Sequence, residues 1–247
     1  MAKIFTPLFA AALTFVIAIS GVRIANADVG YDNTSGTFSG QAFALGGATG
    51  GITRMLIDDI TPIVTPGTMG DVVNFSFTVF NGNATAQSVR PRARFWQDNA
   101  GVPGTYYASP GAIGYSFNPI TFAANSVTTI TGAVGPGFIM PQTKFWAGLT
   151  FDNLGTTTGA TDTELSLFGM GIFANPVIGS SADGYFATTA AGSFFGTNNP
   201  VGAPGNFAGA PLANFGWRFE SVPEPSSLIG LAFGLVVFAT RNRRRSA

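Results

Sequence analysis

The most pointed chemistry in the chain sits on one short stretch, where Arg90, Arg92 and Arg94 alternate toward Trp96. Residues two apart share one face of a strand, so three guanidinium forks and an indole would line one surface. Such forks take carboxylate or sulfate groups through paired hydrogen bonds, and an indole stacks on a sugar ring. The row therefore reads as a binding site for an acidic exopolysaccharide. Its plainer reading is a charged strand edge kept soluble. Asp98 and Asn99 follow in a Gly-rich turn. Joined by Asp152, Asn153 or Asp162 from other loops, they would supply the oxygen ligands that calcium prefers, although an Asp-Asn turn needs no ion. Asp58 and Asp59 are adjacent and on a strand would point to opposite faces. That makes them poor partners for the two-carboxylate chemistry of glycoside hydrolysis. Counting acids alone leaves a carboxylate-dependent glycoside hydrolase open as a less favoured reading.

The chain has no histidine and no cysteine. Ser-His-Asp and Cys-His catalysis are thereby removed, together with the commonest zinc ligands. Disulfides are removed too, so packing must hold the fold. The cluster Gly46-Gly47 and Gly50-Gly51 lacks the lysine that would follow in a phosphate-binding loop. Between Asp28 and Val222 six basic residues face eleven acidic ones. A mildly acidic unit has no electrostatic footprint for nucleic acid. We expect no enzyme activity.

The elements that must position these residues alternate with period two. In Asp71 to Asn81, Val73, Phe75, Phe77 and Val79 face one way and Asn74, Ser76 and Thr78 the other. Asn81-Gly82 predicts a type I′ hairpin into a return strand, Ala86 to Gln97. There Val89, Pro91, Ala93 and Phe95 face the core, and Pro91 points to a sheet edge. Asp98 to Gly104 reads as a turn-rich loop. Further strands are expected at Ile113–Phe117, Ile120–Ala123, Ser126–Thr131, Thr143–Phe151, Glu164–Phe173 and Gly184–Thr188. Gly192 to Pro211 reads as a long loop, and Phe215 to Glu220 as the last strand. Many short strands with turn signals predict an all-β fold, an antiparallel jelly-roll-like β-sandwich whose phenylalanines fill the core.

Both ends differ from this middle. Lys3, the apolar run Ile4 to Ile19 and the small-x-small triplet Ala25-Asn26-Ala27 form a signal peptide over 1–27, cleaved before Asp28. The exported domain is then 28–221, and a tail follows over 222–247. In that tail Pro223, Glu224 and Pro225 hold the backbone extended. The uncharged run Leu228 to Ala239 belongs to a transmembrane helix at about 226–240, short against a hydrocarbon core of about 30 Å. Arg241, Arg243, Arg244 and Arg245 stop it and keep the C-terminus cytoplasmic.

This tail resembles the PEP-CTERM sorting signal of Gram-negative bacteria, in which a Pro-Glu-Pro motif precedes a short transmembrane helix and an Arg-rich end. The matching residues are Pro223, Glu224, Pro225, Leu228 to Ala239, Arg241, Arg243, Arg244 and Arg245. The resemblance implies sorting by an exosortase, a membrane-embedded Cys-dependent protease or transpeptidase. It also implies inner-membrane anchoring, at least transient, before delivery to the cell surface or the extracellular matrix. Tyr31 to Asn33, Arg94 to Gly104 and Trp217 to Glu220 resemble β-sandwich choice-of-anchor domains, which have no assigned activity.

Overall fold

Alternating apolar residues make strands here because a sheet with one face buried needs them every second position. The computed structural model describes residues 27–63, 71–107, 115–133, 138–141, 143–153, 159–174, 176–188, 198–207 and 214–222. The first strands are β1 (Asp28–Asp32), β2 (Phe38–Ala44), β3 (Leu56–Ile60), β4 (Val72–Asn81) and β5 (Gln87–Asn99). Next come β6 (Val102–Tyr106), β7 (Tyr115–Ser116), β8 (Ile120–Phe122), β9 (Ser126–Ala133) and β10 (Phe145–Asp152). After the short helix α1 (Asp162–Leu165) follow β11 (Phe168–Phe173), β12 (Gly184–Thr188), β13 (Gly202–Asn206), β14 (Asn214–Phe215) and β15 (Trp217–Ser221).

The protein is mostly β, with two antiparallel sheets, one curled into a half-barrel. The first sheet runs β1-β15-β4-β11-β14, with β2 on β11 and β9 on β4. The second runs β13-β12-β3-β10-β5-β6, with β7 and β8 also on β5. Phe75, Phe77, Trp217 and Phe219 of the first sheet meet Phe95, Phe145 and Leu149 of the second in one buried core. Phe75 packs edge-on against Phe95 at 5.3 Å between ring centroids, and Phe95 stacks on Phe138 at 4.9 Å. Contacts of this kind add about 0.5–1.5 kcal/mol each beyond the burial of area, which is where most of the aromatic content goes.

Several local expectations are corrected. Asn81-Gly82 is not a hairpin, because β4 and β5 lie in different sheets. The Asn81 side chain works as a hub for the crossing. Its Nδ2 donates to the carbonyls of Thr85, Phe122 and Ala123, and its Oδ1 accepts from Asn83. The two-residue hairpin turn is Ala100-Gly101, within the segment expected to be a loop. Both residues have positive φ, 52° and 89°, as a type I′ turn requires, and Asn99 pairs with Val102 across it.

Strand β5 is not an edge: β10 lies on one side and β6, β7 and β8 on the other. Pro91 is tolerated because it faces the flank where β7 has ended and β8 has not begun. There the Pro91 carbonyl accepts from Phe117 N–H, and no donor is needed from the proline. The strand expected from Glu164 begins only at Phe168. Before it, Thr161 caps α1 and Glu164 returns the bond in a capping box. The Gly192–Pro211 stretch contains β13, paired with β12.

Candidate functional site

The alternation on β5 places Arg90, Arg92, Arg94 and Trp96 on one face, away from Val89, Ala93 and Phe95 in the main core. Across the strand pair Arg90 lies opposite Asp152, Arg92 opposite Thr150, Arg94 opposite Gly148 and Trp96 opposite Trp146. Arg90 grips Asp152 with both arms of its fork, Nε to Oδ1 at 2.8 Å and Nη2 to Oδ2 at 3.0 Å. Arg92 Nη1 reaches the same Oδ2 at 3.0 Å. One buried carboxylate thus holds two arginines. Arg94 is different. It is 1% exposed, its guanidinium lies over the Tyr106 ring at 3.9 Å, and none of its three nitrogens has a hydrogen-bond partner. Burial lowers its pKa, an effect the Tyr106 hydroxyl opposes; a guanidinium nonetheless stays protonated in a protein.

Trp96 is fully buried, in a second apolar cluster with Met55, Ile57, Trp146 and Phe186, against which Tyr106 packs. Gly148 makes room for it: a Cβ there would come within 2.8 Å of both the Trp96 ring and Met55 Sδ. The expected solvated face is therefore a covered one, and the Trp96 ring has no open face for a sugar. The cause is position. A strand in the interior of a sheet, with apolar neighbours at Ile57 and Trp146, buries both its faces.

At the far end of the row a recess of about 410 Å³ is lined by Gln97, Asp98, Tyr107, Thr143 and Lys144. Asp98 Oδ1 accepts from Trp146 Nε1 at 2.7 Å, and burial raises the Tyr107 phenol. Among the described residues Asp98 is the single carboxylate lining the recess.

The expected calcium set does not assemble. Asp98 and Asp152 belong to opposite ends of the β5–β10 pairing, since Arg90 faces Asp152 and Asp98 lies eight residues further along, about 26 Å on a strand. Asp152 is committed to the two arginines. The Asp162 carboxylate accepts from Gly50 N–H at 3.0 Å and Gly51 N–H at 2.7 Å. The glycine cluster thus holds an anion after all, one from its own chain. Asn153 Nδ2 donates to the Ala160 carbonyl.

A constellation that sequence reasoning missed lies around Ser181. Asp58 points into the inter-sheet core with Leu56 and Ile60, and Asp59 points the other way with Ile57. Both carboxylates nevertheless end at one hydroxyl. Ser181 Oγ lies 3.4 Å from Asp58 Oδ1, 3.0 Å from Asp59 Oδ1, 2.7 Å from Asn214 Oδ1 and 3.3 Å from the Ala182 carbonyl. Burial first, and the Asp59 carboxylate second, push Asp58 well above the usual carboxylate range. Tyr31 is fully buried beside this group, with its hydroxyl turned toward Ser181. Burial, then the Asp58 charge, raise its pKa, while the hydrogen bond with Ser181 works against them. The sequence signal was a pair of acids inside an apolar strand, Leu56-Ile57-Asp58-Asp59-Ile60. Charges in a segment buried at every position must find specific partners.

The sorting residues Pro223, Glu224, Pro225, Arg241, Arg243, Arg244 and Arg245 lie outside the described residues, as do Ala25 and the expected helix at about 226–240. Among the described residues no helix is long and apolar enough to cross a membrane. What is described is the point of departure. Ser221, the last residue of β15, pairs with Asp28, the first of β1, and Val222 N–H donates to the Asp71 carbonyl. No curated protein matches the chain. The model of the PEP-CTERM protein-sorting motif matches residues 221–245, so its first matched residue is the end of a paired strand. That motif implies export, cell-surface sorting and processing by an exosortase. The chain carries a PEP-CTERM protein-sorting motif at its C-terminus.

Proposed function

We propose that the chain is a non-catalytic envelope or matrix protein. In this reading a jelly-roll-like β-sandwich over 28–221 is cargo between two address segments. The segment 1–27 directs export and is removed. The helix at about 226–240 then holds the chain in the inner membrane until an exosortase acts near Pro223-Glu224-Pro225, after which the cargo reaches the surface or the surrounding polysaccharide. The observation that carries this reading is the pairing of Asp28 with Ser221. The residue expected to start the mature chain and the residue that opens the sorting motif are neighbours across two strands. Both address segments therefore attach at one place on the sheet, and removing either would leave the other β pairings intact. Epitope tags inserted after Asp28 and before Ser221 test it. The expected outcome is both tags in the surface or medium fraction, on a species shorter than the full chain. Full-length protein in the cytoplasmic fraction would overturn it.

A second reading, binding of an acidic glycan by the arginine row, is favoured by Arg90, whose side chain is 25% exposed. Because Trp96 and Arg94 are covered, a ligand carboxylate would meet Arg90 first, with Arg92 and Arg94 behind it. Pull-down on uronate-containing polysaccharide should be lost in the triple alanine variant, and no retention of the wild type would remove this reading.

A further inference from the structure

Three neighbouring strands meet where the tail departs, and an exposed isoleucine stands on either side of them. Ser221 closes β15 opposite Asp28, the first residue of β1. Val222 N–H donates to the carbonyl of Asp71, just before β4, at 3.0 Å. On the β1 flank Ile63 N–H donates to the Gly30 carbonyl at 2.8 Å, and the Ile63 side chain is 65% exposed. On the β4 flank Ile139 pairs with Asp71 and is 46% exposed. The order across this end of the sheet is therefore Ile63, β1, the exit at Val222, Asp71 and Ile139. Ile139 also belongs to a segment that closes the end of the sandwich. Before it, Phe138 stacks on Phe95 of the other sheet. After it, Met140 is fully buried against Gly30, where an added Cβ would meet Met140 Cε at 3.1 Å. With both neighbours turned inward, Ile139 points out through the end.

A singly exposed apolar residue means nothing by itself; position and tether length single these two out. Val222 is still bonded to the sheet through Asp71, and the apolar helix read from the sequence begins at about residue 226. Fully extended, the four steps between them span at most about 14 Å. The headgroup layer is roughly 5–8 Å deep on each side of a hydrocarbon core of about 30 Å. A tether this short holds the end of the sandwich at the headgroups. An isoleucine facing that layer gains by reaching the acyl boundary. Asp28 and Asp71, at the exit itself, are acidic, so the contact is apolar and not an attraction to anionic lipid. We propose that the sandwich end bracketed by Ile63 and Ile139 is a membrane-contact face, with both isoleucines inserted at the headgroup–acyl boundary of a phospholipid bilayer. The proposal rests on the reading of residues at about 226–240 as a transmembrane helix and goes beyond it: the domain itself touches lipid, in one orientation. That contact would keep Pro223-Glu224-Pro225 at the bilayer surface, within reach of a membrane-embedded protease.

The chain has no cysteine, so one introduced cysteine carries one fluorophore. The full chain is placed in phosphatidylcholine nanodiscs, with and without lipid bearing a spin-label quencher near the headgroup end of its acyl chain. Ile63→Cys and Ile139→Cys label the proposed face, and both replace exposed side chains. Leu167→Cys is the reference. Leu167 is 43% exposed, and its carbonyl accepts from Gly82 N–H at the far end of β4; that ten-residue strand puts it about 30 Å from the exit. Leu231→Cys reports on the expected helix. The labels at Ile63 and Ile139 should each lose about half of their emission or more to the quencher, and the label at Leu167 should keep its own. Quenching at Leu231 with either isoleucine label as bright as that at Leu167 overturns the contact and leaves the anchor standing. Isoleucine labels that are blue-shifted yet unquenched would mean that protein, such as a second copy of the chain, covers the face, and overturn it as well. No quenching at Leu231 overturns both the contact and the anchor. Quenching at Leu167 equal to that at the isoleucines overturns the single orientation.

Discussion

Asp32 and Asp58 are both buried carboxylates, 2% and 0% exposed, and they have opposite surroundings. Asp32 is ringed by donors: Thr34 N–H and Oγ1–H, Ser35 N–H and Oγ–H, and Arg218 Nη1–H at 2.8 Å. Burial pushes its pKa up, yet the hydrogen bonds from Ser35 and Thr34 outweigh burial and hold it below the usual range. Asp58 has the N–H groups of Phe215, at 3.3 Å, and Asp59, and a share in one hydroxyl at 3.4 Å, with no cation on it, and burial prevails there. The comparison teaches that burial alone does not decide the state of a carboxylate; the number of aimed donors does. It also separates a carboxylate ringed by donors and a cation from one that few donors reach. Arg218 and Arg94 repeat the pattern for cations. Arg218 binds Asp32 and Glu220, whereas Arg94 has a ring and no acceptor.

The sharpest way to break the comparison is to delete each acid. Asp32→Ala should cost about 2 kcal/mol in urea unfolding at pH 7, because it removes one of the two carboxylates that hold Arg218 and uncaps the turn at Thr34 and Ser35. A loss below about 1 kcal/mol would mean that those donors are as well served by water. Asp58→Asn should lie within about 1 kcal/mol of the wild type or be more stable, since it replaces a buried carboxyl that no cation pairs.

The pH profiles should run in opposite directions. A folded-state pKa below the unfolded value of about 3.9 means that the stability from Asp32 is fully present above that pH and is lost as pH falls through the folded value. Asp32→Asn should therefore flatten the acid limb below about pH 4. A raised folded pKa means that the contribution of Asp58 is fully present below about pH 3.9 and is lost as pH rises toward the folded value. The advantage of Asp58→Asn over the wild type should grow from acid toward neutral pH. Identical profiles for the two variants would contradict this assignment. The smallest effect is expected at Arg94→Met, within about 1 kcal/mol, as an apolar stem replaces a cation that has no acceptor.

Much of this was legible in residue order. Period two located β4 and β5, because alternation is a local property, and it assigned the core face along Phe75 to Val79 and Val89 to Phe95. At the start of β4 it is Val72 and not Val73 that enters the core, where the pairing with β15 shifts register at Ser221. The placement of β5 within its sheet was not local. Pro91 suggested an edge, but whether a missing N–H matters depends on what lies opposite, and that is the gap between β7 and β8. Asn81-Gly82 has the composition of a hairpin, and the turn is overridden by the contacts of Asn81 with Phe122 and Ala123 some forty residues away. The helix α1 could have been found from Thr161-Asp162-Thr163-Glu164, a capping box written in four residues. The Ser181 cluster could not, since its oxygens come from residues 58, 59, 181, 182 and 214 and meet only when the sheets do. The sorting motif was fully legible because it is contiguous and is recognised by order alone.

The central claim is that the β unit is cargo bounded by two removable addresses. Intact-mass measurement of the protein recovered from the cell surface tests it most directly. The account predicts a chain that starts at Asp28 and ends within Ser221 to Pro225; a surface-recovered chain that still carries Arg241 to Arg245 would contradict it.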